Sequence, residues 1–354
     1  MKIRKILAAA LVVCMGIPFL CSCARQEPSR TEKIHVGVTY YNQSDTFLNG
    51  LLDSFRKQLT ALEEGNLEIT VTIRDAGGSQ RTQDDQVKEL IDAGCDVLCV
   101  NLVDRADPSE IIDLARENDV PIIFFNREPV AEDLMQWEKL YYVGADAQQS
   151  GIMQGELAAE AIKSNDQIDR NNDGKIQYVV LEGEAGHQDA IIRTENAVET
   201  LRDNGIELEK LSYQIANWNR AQAQNRMEQL LSQYHDQIEL VLANNDDMAL
   251  GAIDAYKKAN YTENALPLVL GIDGTDVGLQ AVVSSDMWGT VYNDKEGQAE
   301  AMAKLAVAII TGKGMEDIDF KNGKYVYLPY SKIMQENVGD YLKDNAEDST
   351  MEVS

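Results

Sequence analysis

Residues 97–126 read VLCVNLVDRADPSEIIDLARENDVPIIFFN. Two short apolar runs, 97–101 and 121–125, are rich in β-branched and aromatic residues and too short for helices, so they read as buried strands. Between them, 110–118 carries Ile111, Ile112 and Ala115 at helical spacing among charged neighbours. A strand, a helix and a second strand in this order form a right-handed crossover that pairs the two strands in parallel. The first run ends on Asn101 and the second is followed by Asn126. Parallel sheets take their ligands beyond the carboxyl ends of the strands, so these two positions already mark a face of interest.

The same alternation extends in both directions. Strands are expected at 34–40 and 67–74, and in a second series at 140–143, 176–181, 211–215, 240–243, 268–272 and 289–292. Helical periodicity occupies 82–93, with Val87, Leu90 and Ile91 on one face, and 302–310. A single core stops growing near this chain length, so ten or so strands predict an α/β protein with two parallel sheets, each flanked by helices.

Polar residues recur where these strands end: Asn101, Asn126, Asn244, Asn245, Asp273 and Asn293. Any one of them also suits the cap of the following helix; the recurrence favours a polar ligand. Asn offers both a donor and an acceptor, Asp paired acceptors, and Arg a fork of donors. Sugar hydroxyls, which donate and accept, match this set. Aromatic rings suit the C–H face of a pyranose. Phe47 follows the first strand and Trp218 follows the strand at 211–215. The segment Gly186-His187-Gln188-Asp189-Ala190-Ile191-Ile192-Arg193 opens a helix after the strand at 176–181, with Asp189 and Arg193 on one face.

Composition narrows the partners. The formal charge is −27, with 59 acidic against 32 basic residues, which repels nucleic acid and anionic lipid headgroups. Residues 1–22 read as an export signal. Lys2, Arg4 and Lys5 precede an apolar stretch broken by Gly16 and Pro18, too short for a comfortable membrane span. Losing those three basic groups takes the mature charge to about −30. Of five cysteines, three lie in or directly after the signal, and Cys95 and Cys99 remain. Their placement in and before one strand points to reduced, buried thiols. No nucleophile elbow, phosphate loop or dinucleotide fingerprint follows the early strands, so no enzyme is expected. A basic helix-turn-helix, which a sugar-responsive repressor needs, is missing from the sequence before the first strand.

Asp169-Arg170-Asn171-Asn172-Asp173-Gly174-Lys175-Ile176-Gln177 has the D-x-N-x-D-G spacing of a calcium loop. Asp169, Asn171, Asp173, the carbonyl of Lys175 and Gln177 supply oxygens. The twelfth position is Val180 where an EF-hand has a bidentate Glu, so a distant carboxylate has to complete the shell.

Two resemblances follow. Leu20-Cys21-Ser22-Cys23 resembles a bacterial lipobox. It implies cleavage before Cys23, a lipid on its thiol, and a tether over 23–33. The mature chain resembles the bacterial periplasmic galactose/glucose-binding proteins. The likeness lies in Val100-Asn101-Leu102-Val103-Asp104, Phe124-Phe125-Asn126-Arg127-Glu128-Pro129, Gly186-His187-Gln188-Asp189, Ala243-Asn244-Asn245-Asp246, Gly271-Ile272-Asp273 and Asn293-Asp294, together with the calcium loop.

That resemblance implies a two-lobed periplasmic-binding-protein type I fold with three hinge crossings. The lobes are expected at 34–119 plus 294–327 and at 120–293 plus 328–345, with an acidic tail at 346–354. It implies polar sugar contacts from Asp45, Asn101, His187, Asp189, Arg193, Asn245, Asp273 and Asn293, with Phe47 and Trp218 as the stacking pair. In the family the residue matching Asp45 serves the C4 hydroxyl and accepts both epimers. Glu239 becomes the missing calcium ligand. The expected partners are glucose or galactose and the membrane permease of an ABC transporter, which reads a monomer closed on its sugar. A chemoreceptor or sensor kinase is the alternative reader. Ser44 and Gln188 depart from the residues common in the family.

Overall fold

The computed structural model describes residues 32–63, 66–261 and 266–342. The expected signal, Cys23, most of the tether and the acidic tail lie outside the described residues. The tether's last two positions, Glu32 and Lys33, already belong to the first strand.

The chain builds two six-stranded sheets. The first contains β1 (Glu32–Tyr40), β2 (Leu67–Asp75), β3 (Val97–Val100), β4 (Ile122–Phe125), β5 (Leu140–Ala145) and β11 (Tyr325–Leu328), in the order β11-β5-β4-β3-β1-β2. All its pairings are parallel. The second contains β6 (Ile176–Glu182), β7 (Leu208–Ile215), β8 (Leu240–Ala243), β9 (Leu268–Leu270), β10 (Gly289–Asn293) and β12 (Tyr330–Met334), in the order β12-β10-β9-β8-β6-β7. Only β12 runs antiparallel, against β10. The central strands β3, β4 and β8 are buried at every residue, while the edge strand β2 alternates and leaves one face wet.

The chain passes between the sheets three times: after β5, after β10, and between β11 and β12. The boundary expected at 119/120 is displaced. β4 pairs with β3 and β5 pairs with β4, so 120–145 belong to the first lobe. Strands β11 and β12, separated by Pro329, escaped the sequence reading.

Helices cover both faces. Those that matter for the site are α1 (Thr46–Ala61), α5 (Ala147–Ser164), α6 (Gln188–Asp203), α8 (Asp246–Lys258) and α10 (Lys295–Thr311). Helix α10 returns to the first lobe, where Met302, Leu305 and Ala306 share a core with Leu48, Leu51 and Phe55 of α1. Each helix carries its first turn to the carboxyl ends of the strands, so side chains of α1, α6 and α8 meet in the cleft.

The seat of α6 depends on two glycines of α5. A Cβ at Gly151 would stand 2.7 Å from the Arg193 carbonyl oxygen, and one at Gly155 2.6 Å from that of Ala197. Gly155→Val therefore pushes α6 outward and costs about 1–3 kcal/mol. Thermal unfolding should show a drop of several degrees in Tm, and an unchanged Tm would rule out this close packing.

Candidate functional site

Asp45 caps α1: its Oδ1 accepts the Leu48 N–H at 2.9 Å and its Oδ2 the Tyr41 hydroxyl at 2.7 Å. Phe47, in the first turn, is buried. From the second lobe, His187 caps α6 by accepting the Asp189 N–H at Nδ1, 3.2 Å away. Asn245 caps α8 through the Met248 N–H and donates to the Trp218 carbonyl at 3.2 Å. The same strand-end amides and acids thus cap helices and face the cleft. The two roles are compatible because a cap lies at the helix mouth.

Trp218 is held in a left-handed conformation, φ 58°, after Asn217 at φ 51°. This turn lays the indole over Gly183, where a Cβ would fall 2.1 Å from the ring. The imidazole of His187 meets the indole edge-on at 5.1 Å, and the Arg193 guanidinium stands 5.8 Å from it.

Arg193 is buried. It donates to the Asn244 carbonyl at 2.7 Å and the Tyr330 hydroxyl at 3.1 Å, and lies 3.9 Å from Asp273. Its Nε has no hydrogen-bond partner among the described residues, a costly state for a buried donor. Asp273 follows β9 with φ 117°. Burial pushes its carboxyl well above the usual range, against the pull of Arg193. Asp189 is raised too, by burial first. Beneath them, Asp246 accepts from the Thr275 N–H (2.7 Å), the Thr275 hydroxyl (3.1 Å) and the Thr290 hydroxyl (2.6 Å). Those bonds pin the β9 loop and β10 to α8.

Asp45, Phe47, His187, Asp189, Arg193, Trp218, Asn245 and Asp273 line one cavity, joined by Asn126 and Arg127. Two residues named from the sequence stand behind its wall. Asn101 accepts the Tyr41 N–H and donates to the Phe125 carbonyl and to Asn126 Oδ1 at 3.0 Å. Asn293 accepts from Gln298 and points its amide at Asp273, 3.4 Å away. Both position wall residues. Asn126 was singled out at a strand end and left off the contact set; Arg127 was not singled out at all. Arg127 stacks on Tyr41 at 3.6 Å and pairs with Glu184 of the other lobe at 2.9 Å. Its place in Asn126-Arg127-Glu128, directly after β4, was the available signal.

The lobes are closed on each other. Besides the Arg127–Glu184 pair, Thr46 donates to Asp247 at 2.6 Å across the cleft. The space inside is about 30 Å³, room for a water or two and not for a sugar ring. A ligand of that size requires the lobes to part.

Residues 36–314 match the periplasmic binding protein domain family. The chain belongs to that family. As a periplasmic binding protein it is a solute-binding protein and not an enzyme. It is 35% identical to the D-galactose/methyl-galactoside binding periplasmic protein of Haemophilus influenzae over 87% of this chain and 92% of the relative. It is 29% identical to the putative rhizopine-binding protein of Rhizobium meliloti over 85% and 89%. An ABC transporter solute binding protein from Bacillus halodurans with bound myo-inositol superposes with a TM-score of 0.72 at 27% identity, covering 88% of this chain and 98% of that one.

The loop at 169–177 in this periplasmic binding protein folds on its own oxygens. Asp169 accepts the N–H groups of Asp173 (3.2 Å) and Gly174 (2.9 Å). Asp173 accepts that of Lys175 at 2.8 Å, and this bond holds its carboxyl below the usual range. Glu239 reaches in from the residue before β8 and accepts from Arg170 and Gln177 at 2.6 and 3.0 Å. Among the described residues, no three His, Cys, Asp or Glu side chains gather as a metal-holding group. Cys95 and Cys99 are free and buried, and among the described residues no helix is long and apolar enough to cross a membrane.

Burial, with Arg127 and Arg193 nearby, pushes His187 down to about 2, so the folded ring stays neutral. The unfolded chain takes up that proton near pH 6.5. Stability from His187 is therefore complete above pH 6.5 and falls below it, by up to about 1.4 kcal/mol per pH unit. His187→Asn replaces the capping Nδ1 by an amide oxygen that does not titrate. Between pH 7 and pH 5 the wild type should lose several degrees of Tm more than the variant; parallel losses would refute the neutral, buried ring.

Proposed function

We propose that this protein binds D-glucose or D-galactose between its lobes and hands the sugar to the membrane permease of an ABC transporter. One observation carries the reading. Phe47 from one lobe and Trp218 from the other line a single cavity with Asp45, Asn126, Asp189, Asn245 and Asp273, beside a buried Arg193 whose Nε lacks an acceptor among the described residues. A hydroxylated ring offers two apolar faces to such aromatics and an oxygen to that donor. Asp45, fixed by Tyr41 and the α1 N-terminus, presents a carboxylate able to accept from an axial or an equatorial hydroxyl. The Haemophilus relative, which binds D-galactose and methyl-galactoside, supports galactose, whereas the myo-inositol in the Bacillus structure makes inositol the competing ligand.

The ligand favours the closed form through contacts with both lobes, and the permease reads that form. A lipid on Cys23 would keep the protein at the outer face of the cell membrane; several acyl chains suffice at about 0.8 kcal/mol per buried CH₂. Calcium suits the loop by donor chemistry: Asp169, Asn171, Asp173, the Lys175 carbonyl, Gln177 and Glu239 are all oxygen ligands on one loop and its neighbour. Asn171 donates its amide to Asp173 and Gln177 at 3.0 and 3.2 Å, and the amide turned over presents its oxygen instead.

Isothermal titration with glucose, galactose, ribose and myo-inositol tests the ligand. Glucose or galactose should bind tightest, and Asp273→Ala or Arg193→Ala should abolish binding with the circular-dichroism spectrum unchanged. Tighter binding of ribose or inositol, or wild-type affinity in either variant, would overturn the assignment. Chelation with EGTA should lower Tm and restoring calcium should recover it, with sugar affinity retained; no shift in Tm would remove calcium from the loop.

A further inference from the structure

Helix α1 carries a glycine that its own fold does not ask for. Gly50 sits in the second turn of α1, where a glycine weakens a helix, and its φ is not positive. It lies four residues after Thr46 and so shares a face with it. Thr46 reaches Asp247 of the second lobe. Gly50 faces Lys295, the first residue of α10. A Cβ at position 50 would stand 3.1 Å from the Lys295 Cδ and 3.3 Å from its Cε. The missing Cβ leaves room for the lysine stem.

The seat holds the charge between the lobes. The Lys295 side chain is only 9% exposed. Its ammonium lies 2.9 Å from Glu296, 3.7 Å from Asp276 and 5.8 Å from the Tyr292 ring. Glu296 also accepts from the Tyr292 hydroxyl. Glu296 stands next to Lys295 on α10 and moves with it. Asp276 opens α9 (Asp276–Val283), which lies between β9 and β10 and belongs to the second lobe. Parting the lobes therefore breaks the contact with Asp276 and keeps the one with Glu296. The Asp276 side chain is 70% exposed, so this pair is screened by salt and weaker than a buried one.

We propose that Lys295 is an ionic clasp on the solute-free closed form. Seated on Gly50, it ties α10 to Asp276 of α9 and shifts the balance between open and closed lobes toward closed, more so at low salt. The clasp acts before any solute arrives, so it serves a hexose, an inositol or another ligand alike. It joins Thr46–Asp247 on the same face of α1, but it differs from that hydrogen bond in carrying a full charge on each side.

Double electron–electron resonance on the solute-free mature chain tests this. Nitroxides go on Gln43→Cys and Ile215→Cys, exposed positions after β1 and at the end of β7. Cys23→Ser removes the N-terminal thiol, and Cys95 and Cys99 are buried. The two lobe separations give the closed-to-open ratio. Lys295→Met keeps the stem and removes the charge; with melting temperature and circular dichroism unchanged, it should lower that ratio about two- to five-fold. Asp276→Asn should do the same, and the two together should do little more than either alone. In 1 M salt, where the screening length is about 3 Å, wild type and variants should converge. An unchanged ratio in Lys295→Met overturns the clasp. So does a full effect of Lys295→Met on top of Asp276→Asn, which would place the role of the charge with Glu296 inside one lobe. A difference that persists undiminished in 1 M salt overturns it as well.

Discussion

A charged guanidinium sits inside this protein, and the cleft is organised around what keeps it there. Removing a cation from water costs several kcal/mol unless neighbours replace the lost solvation. Arg193 is supplied by the Asn244 carbonyl, the Tyr330 hydroxyl and the field of Asp273 and Asp189. These partners come from α6, the end of β8, the first residue of β12 and the loop after β9. Four separate chain segments must therefore be in register before the charge is tolerated. Nε is the buried nitrogen of this guanidinium left without a hydrogen bond among the described residues, and it marks where an external oxygen adds to the set.

The supporting contacts follow from this constraint. Asp246, raised to about 7 by burial despite its three donors, ties the loop carrying Asp273 to the helix capped by Asn245. Asn244 binds Arg193 with its carbonyl and the Gly183 N–H with its side chain at 3.1 Å, so the strand ends of β6 and β8 are joined at the glycine over which Trp218 lies. Indole, guanidinium and carboxylate are thus fixed by one hydrogen-bonded frame within the second lobe. The first lobe contributes Asp45, Phe47 and Arg127 from a separate frame built on Tyr41 and Asn101.

Much of this was legible in the sequence because its signals are local. Four- and five-residue β-branched runs ending in Asn or Asp identify both the parallel strands and the face that binds. What was not legible depended on long-range pairing. The strands β11 and β12 are tyrosine-rich and broken by Pro329, a pattern that reads as a loop, and only their partners β5 and β10 make them strands. The lobe boundary failed for the same reason, since 120–145 differ from the second-lobe strands only in what they pair with. Asn101 and Asn126 are the same residue type at equivalent strand ends. The left-handed turn at Asn126, φ 58°, brings that residue to the cavity, and Asn101 spends its amide holding it.

The closed cleft bears on how such a protein discriminates. Thr46–Asp247 and Arg127–Glu184 bridge the lobes directly, so the closed form is held partly by the protein itself. A ligand shifts the balance only by its preference for closed over open. Direct bridges lessen the preference a ligand must supply, but they also draw the walls in until about 30 Å³ remains. A ring in the cleft cannot close into that space with both bridges intact, so its own contacts with the two walls must replace what the parted bridges gave. Solutes that fill the wall's hydrogen bonds and lie between Phe47 and Trp218 make that replacement; solutes of the wrong shape lose the bridges without it. Selectivity in this arrangement comes from whether closure can be completed, and affinity in the open cleft contributes less to it.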